Sequence, residues 1–197
     1  MLNLSEYRRT ASRLADFLPW AALVGEGVVL NKDGSLQRTA RFRGPDLESS
    51  VAAELVAVAA RLNNAFRRLG SGWAIFVEAQ RHEAATYPDS RFPDPASALL
   101  DAERKADFEE QGSHFISGYF LTFSYLSPAE DAARAETWLY EGRERSGVDP
   151  NEVLRGFIDR TDRVLGLLDG FMPECDWLDD SETLTYLHST ISTNRHR

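Results

Sequence analysis

Two apolar runs, Val28–Asn31 and Ser35–Arg43, flank the tripeptide Lys32-Asp33-Gly34. Asp-Gly between such runs is a strong short-range signal for a β-hairpin, because glycine accepts the positive φ of a tight turn. A chain pinned this way near its start is committed to an antiparallel sheet. In the second strand Leu36, Ala40 and Phe42 share a face with Arg38, while Gln37, Thr39, Arg41 and Arg43 share the other. The alternation predicts one core face and one wet face. Upstream, Leu18-Pro19-Trp20-Ala21-Ala22-Leu23-Val24 reads as a helix end and a turn. Leu4, Tyr7, Ala11, Leu14 and Leu18 recur at helical spacing before it, with Arg8, Arg9 and Arg13 off that stripe. Pro19 ends the segment.

Further elements follow in order. Leu47, Val51, Leu55, Val58, Leu62, Ala65, Phe66 and Leu69 keep helical spacing until Gly70 and Gly72, predicting a long core helix over 46–69. Residues 73–80 alternate as a strand. Pro88, Pro93 and Pro95 mark 81–95 as a loop, and Asp94-Pro95 opens a helix to Glu110. Residues 115–126 form the best strand, with Tyr119, Leu121, Phe123 and Tyr125 on one face and Phe120, Thr122, Ser124 and Leu126 on the other. Ser127-Pro128-Ala129-Glu130 and Asp149-Pro150-Asn151-Glu152 are capping patterns, predicting helices to Glu141 and Gly170. A short strand over 174–178 and a last helix capped by Asp179 or Asp180 complete the chain. The expected fold class is α+β: a ferredoxin-like split β-α-β-β-α-β sheet with an extra N-terminal hairpin strand and helical insertions.

Several chemistries are excluded by residue type. A phosphate-binding loop needs G-x-x-x-x-G-K-[ST], and the only lysines, Lys32 and Lys105, follow Asn31 and Arg104. The chain alone is therefore expected neither to hydrolyse ATP nor to bind it tightly. One cysteine, Cys175, allows no internal disulfide and no multi-cysteine zinc site. The net charge of -9 opposes a broad nucleic-acid footprint. No apolar run has the length of a membrane span, and the first twenty residues lack the apolar region of a signal peptide.

The remaining candidate sites reduce to structural roles. His82-Glu83 lacks further ligands at metal spacing and reads as a solvated loop pair. Cys175 sits among Asp176, Asp179 and Asp180, whose charge raises a thiol pKa and leaves it inert. Glu109 with Glu110, and Glu136 with Glu141, read as solvated helix faces. Gly118-Tyr119, Phe123 and Tyr125 echo an RNA-recognition strand, but Ser117 stands where a basic residue belongs. A buried aromatic strand under helices is the preferred reading. No catalytic, cofactor-binding or metal residue is assigned.

Leu18–Leu23, Val28–Arg43, Gly44-Pro45-Asp46-Leu47, Ala65–Trp73, the string Tyr87-Pro88-Asp89-Ser90-Arg91-Phe92-Pro93-Asp94-Pro95, Trp138-Leu139-Tyr140-Glu141-Gly142 and Thr185-Tyr186-Leu187-His188-Ser189-Thr190 together resemble the TrbE family, the conjugative-transfer ATPases of type IV secretion systems. That resemblance implies an oligomeric ATPase at the cytoplasmic face of the bacterial inner membrane, powering pilus assembly and DNA or protein transfer. It implies ATP and Mg only for a domain beyond this chain, whose end at Asn194–Arg197 reads as an interior cut. The front domain of the family resembles a docking module for small membrane components of the channel, with no direct contact to nucleic acid.

The sequence thus divides into an N-terminal helix over 1–20, an α+β domain over 21–180 and a helix over 181–197 leading toward the ATPase domain. The expected function is non-catalytic docking, with Leu4, Tyr7, Arg8, Leu14 and Leu18 as the candidate partner-docking residues. A single-stranded nucleic-acid-binding module of the RNA-recognition kind is the alternative, and a small free-standing enzyme a second one.

Overall fold

The tight turn forms where Asp-Gly predicts it. Gly34 takes φ +85°, its N–H donates to the Asn31 carbonyl at 3.0 Å, and the Asn31 N–H donates to the Ser35 carbonyl at 2.8 Å. Asp33 Oδ1 accepts from both the Ser35 N–H and hydroxyl. The computed structural model describes residues 13–84, 86–110, 112, 114–126 and 150–192. The turn joins β2 (Val28–Asn31) to β3 (Leu36–Arg43). A strand precedes them: β1 (Trp20–Gly25) pairs antiparallel with β2. The apolar run after Pro19, read above as a turn, is therefore β1. The only described helix before it, α1, is four residues long (Leu14–Phe17).

The next helix, α2, spans Ala52–Phe66, shorter than the predicted 46–69. It leads into β4 (Trp73–Ala84), α3 (Pro95–Glu110) and β5 (His114–Tyr125). Then come α4 (Pro150–Asp169), β6 (Glu174–Trp177) and α5 (Asp180–Ser189). The helix expected over Ser127–Glu141 lies outside the described residues. The strand predicted to stop at Gln80 runs on to Ala84, in unbroken register with β5.

The strands make one antiparallel six-stranded sheet in the order β1-β2-β3-β5-β4, with β6 also on β3. β5 pairs along β3 from Leu36 to Phe42. The opposite edge of β3 is shared: β2 takes Leu36–Arg38 and β6 takes Ala40–Arg43. The molecule is an α+β domain with helices on both faces of this sheet.

The core lies between the sheet and the pair α2 and α4. Ala40, Leu121 and Phe123 of the sheet meet Ala65 of α2, Val164, Leu165 and Leu168 of α4, and Cys175. Trp73 stacks on Phe157 with ring centroids 5.5 Å apart, beside Val28 and Leu36. Each fully buried large side chain here contributes about 2 kcal/mol. Only the rear of α2 takes part. Ala65 is buried, with Leu62, Phe66 and Leu69 against the core, whereas Leu47, Val51 and Leu55, at and before its front, are exposed. The periodicity marks an apolar stripe correctly, but the helices diverge from the sheet along half of it.

The second sheet face is not wet, as the alternation in β3 suggests it should be. α5 crosses it. Tyr186 and Leu187 pack with Val29, Leu178 and Phe120, and Tyr186 lies 4.7 Å from the Phe120 ring. Asp179 caps α5, accepting from the Glu182 N–H at 2.8 Å. Asp180 accepts from the Gly27 N–H at 2.8 Å, tying α5 to the β1–β2 turn.

Candidate docking surface

The sheet is uneven in length, and that unevenness leaves a two-stranded extension with apolar groups exposed on it. β5 and β4 are twelve residues each, but β3 pairs with β5 only as far as Tyr119. Residues 114–118 of β5 therefore pair with β4 alone, and the two strands project as a ribbon past the rest of the sheet. A two-stranded ribbon has two open faces and little core of its own. Phe115 is exposed on one face and Ile116 on the other. Arg81 lies over the Phe115 ring at 4.6 Å. Exposed aromatic and β-branched residues on a projecting element are what a contact surface requires.

The ribbon ends in a small aromatic cluster. The His114 ring stacks on Phe108 of α3 at 3.9 Å, and Tyr87 meets Phe108 edge-on at 5.6 Å. The Tyr87 hydroxyl donates to Asp101 Oδ1 at 2.7 Å, and this bond raises its pKa. Asp94 caps α3 through the Ser97 N–H and hydroxyl, both at 2.9 Å; these bonds lower its pKa. The odd string from Tyr87 to Pro95 is thus the segment that seats α3 at the ribbon tip.

Of the residues proposed above for docking, Leu14 lies exposed on α1 and Leu18 is half-buried just before Pro19. Leu4, Tyr7 and Arg8 lie outside the described residues. Lys32 of the β2–β3 turn donates through Nζ to the Ala15 carbonyl, fixing α1 beside the sheet. Phe17 joins Leu14 as a second exposed apolar group. The sequence pattern gives no signal for the exposed ribbon residues Phe115 and Ile116, or for Phe76 and Val77 further along β4. The strand 115–126 is the best one in the sequence, but its aromatic face reads as buried under helices, and β4 reads as ending at Gln80, where the ribbon begins.

The remaining candidate residues of the sequence take structural places. The Cys175 thiol is pushed up to about 11 by burial first and then by Asp169 and Asp176, which leaves it protonated and unreactive at neutral pH. Among the described residues no group of three or more His, Cys, Asp or Glu is placed to hold a metal ion. His82-Glu83 lies within β4 rather than a loop. The aromatics that echo an RNA-recognition strand face α2 and α4: Phe123 is fully buried and Tyr125 packs 4.8 Å from Trp73. Tyr119 alone of that set is exposed, 5.9 Å from Phe42. The opposite face of the sheet is crossed by α5. Among the described residues no helix is long and apolar enough to cross a membrane.

Comparison with known proteins agrees with the sequence resemblance. Residues 27–133 match the type IV secretion system ATPase VirB4/TrbE, N-terminal domain. The chain is 38% identical over 161 residues to the conjugal transfer protein TrbE of Rhizobium radiobacter, covering 80% of this chain and 20% of that protein. It is 40% identical over 128 residues to a protein of Sinorhizobium fredii (strain NBRC 101917 / NGR234) described as the first part of a probable conjugal transfer protein TrbE, covering 64% of this chain and 86% of that protein. The chain therefore spans a small fraction of the first relative and most of the second. It belongs to the VirB4/TrbE family of type IV secretion system ATPases, in the region of that family's N-terminal domain.

Proposed function

We propose that this chain is a non-catalytic docking and assembly domain of a conjugal-transfer ATPase, and that the β4–β5 ribbon makes the contact. One observation carries this reading: Phe115 and Ile116 stand exposed on opposite faces of a ribbon that leaves the sheet. Apolar groups held away from any core on a rigid element favour a partner. The partners in this reading are other secretion components at the cytoplasmic side of the inner membrane, where the longer protein binds ATP and Mg with a domain outside this chain and assembles as a homo-oligomer. A ferredoxin-like core is part of the same reading. Its support is the neighbour order β6-β3-β5-β4, every pair antiparallel, with α2 and α4 as the two crossover helices.

The test is the double substitution Phe115→Glu with Ile116→Glu in the longer protein. Both positions are exposed, so the melting temperature should stay within a few degrees of wild type. Co-purification with the inner-membrane components and transfer frequency should fall together. Wild-type co-purification by the folded double variant would overturn the reading. Deleting residues 1–18 in parallel separates the ribbon from the N-terminal segment that carries Leu4, Tyr7, Arg8, Leu14 and Leu18.

A further inference from the structure

One face of the sheet carries the main core, but only over part of its length. Phe42 pairs with Tyr119 and Tyr119 with Ala79, and beyond that level the ribbon continues alone. Residues 44–51 lead from the end of β3 to the front of α2, and 67–72 bring the chain back to Trp73 at the far end of β4. The front of α2 therefore lies toward the ribbon. Val51 and Leu55 continue the stripe that Leu62 presents to the core, yet both are exposed. On the sheet, Val77, Tyr119 and Phe115 share the face of the buried Leu121 and Phe123, yet they are 68%, 41% and 52% exposed. Helix and ribbon thus bound an open apolar groove.

The charge around this groove is one-sided. Residues 44–60 hold Asp46, Glu48 and Glu54 and no basic residue. Glu83 stands opposite Phe115 in the β4–β5 register. Arg81 is the only arginine or lysine of the ribbon, and it lies on the Phe115 ring.

Given the docking function proposed above, on which this rests, we infer that the groove receives a basic amphipathic helix of a partner protein. Its apolar stripe lies against Val51, Leu55, Tyr119 and Phe115, and its lysines or arginines point toward Glu48 and Glu83. From Val77 to Glu83 the floor is about 20 Å long, the length of about 13 residues of helix. A helix there lies beside α2 on the same sheet face and buries its apolar side as the rear of α2 does. The carboxylates select the occupant. A second copy of this chain, with its net charge of -9, and an anionic lipid surface both meet repulsion. A basic segment meets attraction, and membrane proteins carry an excess of lysine and arginine in their cytoplasmic segments.

Fluorescence anisotropy of labelled synthetic peptides of about 14 residues, titrated with this chain, reads the groove directly. The first peptide carries leucines at i, i+3, i+4 and i+7 spacing with lysines between them. The second has the same composition in scrambled order, and the third has glutamate for lysine. The first should bind saturably and more weakly as salt rises, and the other two at least about tenfold more weakly. Phe115→Glu, Leu55→Asp and the pair Glu48→Gln with Glu83→Gln should each weaken the first peptide by at least about threefold at low salt. Leu184→Glu, at an exposed apolar site of α5 on the other sheet face, should not. Equal binding of the scrambled or the glutamate peptide, an unchanged affinity in Phe115→Glu, or capture of the chain by phosphatidylglycerol vesicles through the same residues would overturn the basic helix. If the double variant Phe115→Glu with Ile116→Glu still loses co-purification in that case, the ribbon contact stands and only the chemistry of its partner is rejected.

Discussion

Arg38 Nη1 donates to Asp162 Oδ1 at 2.6 Å, joining β3 to α4 through a guanidinium whose side chain is only 10% exposed. Its position on the inward face of β3 puts a cation among Leu36, Ala40 and Phe42. The surroundings compensate. The guanidinium lies 4.1 Å above the Trp177 ring, and Trp177 Nε1 donates to the same Asp162 oxygen at 2.8 Å. Removing the carboxylate strands a buried charge, whereas removing the charge leaves a long apolar gap that methionine fills. Asp162→Ala should cost about 2–3 kcal/mol in urea unfolding, and Arg38→Met less than about 1.5 kcal/mol. The double variant should recover most of the Asp162→Ala loss. Additive losses would show that the pair is not coupled.

Tyr186 fastens α5 to the sheet. Its hydroxyl donates to Glu78 Oε2 at 2.9 Å and lies 3.3 Å from the Thr122 hydroxyl, which is in turn 2.9 Å from Thr39. Burial above all, reinforced by Glu78 and opposed by Thr122, pushes the phenol from its ordinary 10.0 up to about 12. The folded state thus holds this proton more tightly than the unfolded chain. The associated stability is complete below pH 10 and is lost as pH rises toward 12. Tyr186→Phe should cost about 1–2 kcal/mol at pH 7 and flatten part of the alkaline loss. Chemical denaturation at pH 7, 10 and 11 reads both effects; an unchanged alkaline slope would exclude the phenol as its source.

The parts of this fold that sequence reveals are those set by local chemistry. Lys32-Asp33-Gly34 announces its turn because Gly34 needs positive φ. Asp94 and Asp179 announce helix starts because their carboxylates accept backbone N–H groups three residues on. Pattern alone does not report what covers a face. The stripe from Leu47 to Leu69 predicts burial along its whole length, yet only its rear meets α4 and the sheet. Thr39 and Thr122 look like wet-face residues until Tyr186 arrives from 64 residues beyond Thr122. β1 hides because Trp20–Gly25 has no alternation, and the ribbon hides because Arg81, His82 and Glu83 look like loop. Its exposed Phe115 and Ile116 matter only because β3 stops short of them, a long-range fact.

Gly27 is confined by both its backbone and its neighbour. Its φ is +63°, and an added Cβ would stand 2.3 Å from the Leu178 carbonyl oxygen. That carbonyl belongs to the junction between β6 and α5, which is tied on both sides, by the Leu178 N–H to the Thr39 carbonyl and by the Gly27 N–H to Asp180. Gly27→Ala should therefore cost about 3 kcal/mol or more, far beyond an ordinary surface glycine. Gly44→Ala, with nothing within 4 Å of its Cβ position, should stay within about 1 kcal/mol of wild type. A Gly27→Ala variant melting with wild type would show that the β1–β2 turn and the start of α5 are not packed as described.

Leu55 and Leu168 both occupy apolar helical stripes, and a sequence pattern gives no reason to separate them. The structure does. Leu55 is 41% exposed on the front half of α2, while Leu168 of α4 is fully buried among Ala65, Phe123 and Cys175. At an exposed site a carboxylate keeps its water, so the several kcal/mol expected from burying a charge does not arise. Leu55→Asp should cost less than about 1 kcal/mol and leave the chain soluble. Leu168→Ala, a gentler chemical change, leaves a cavity between α4 and the sheet and should cost about 2–5 kcal/mol. Paired thermal melts decide the order. If Leu55→Asp proves the more damaging, the front of α2 is covered in solution and its apolar stripe belongs to an interface rather than to open surface.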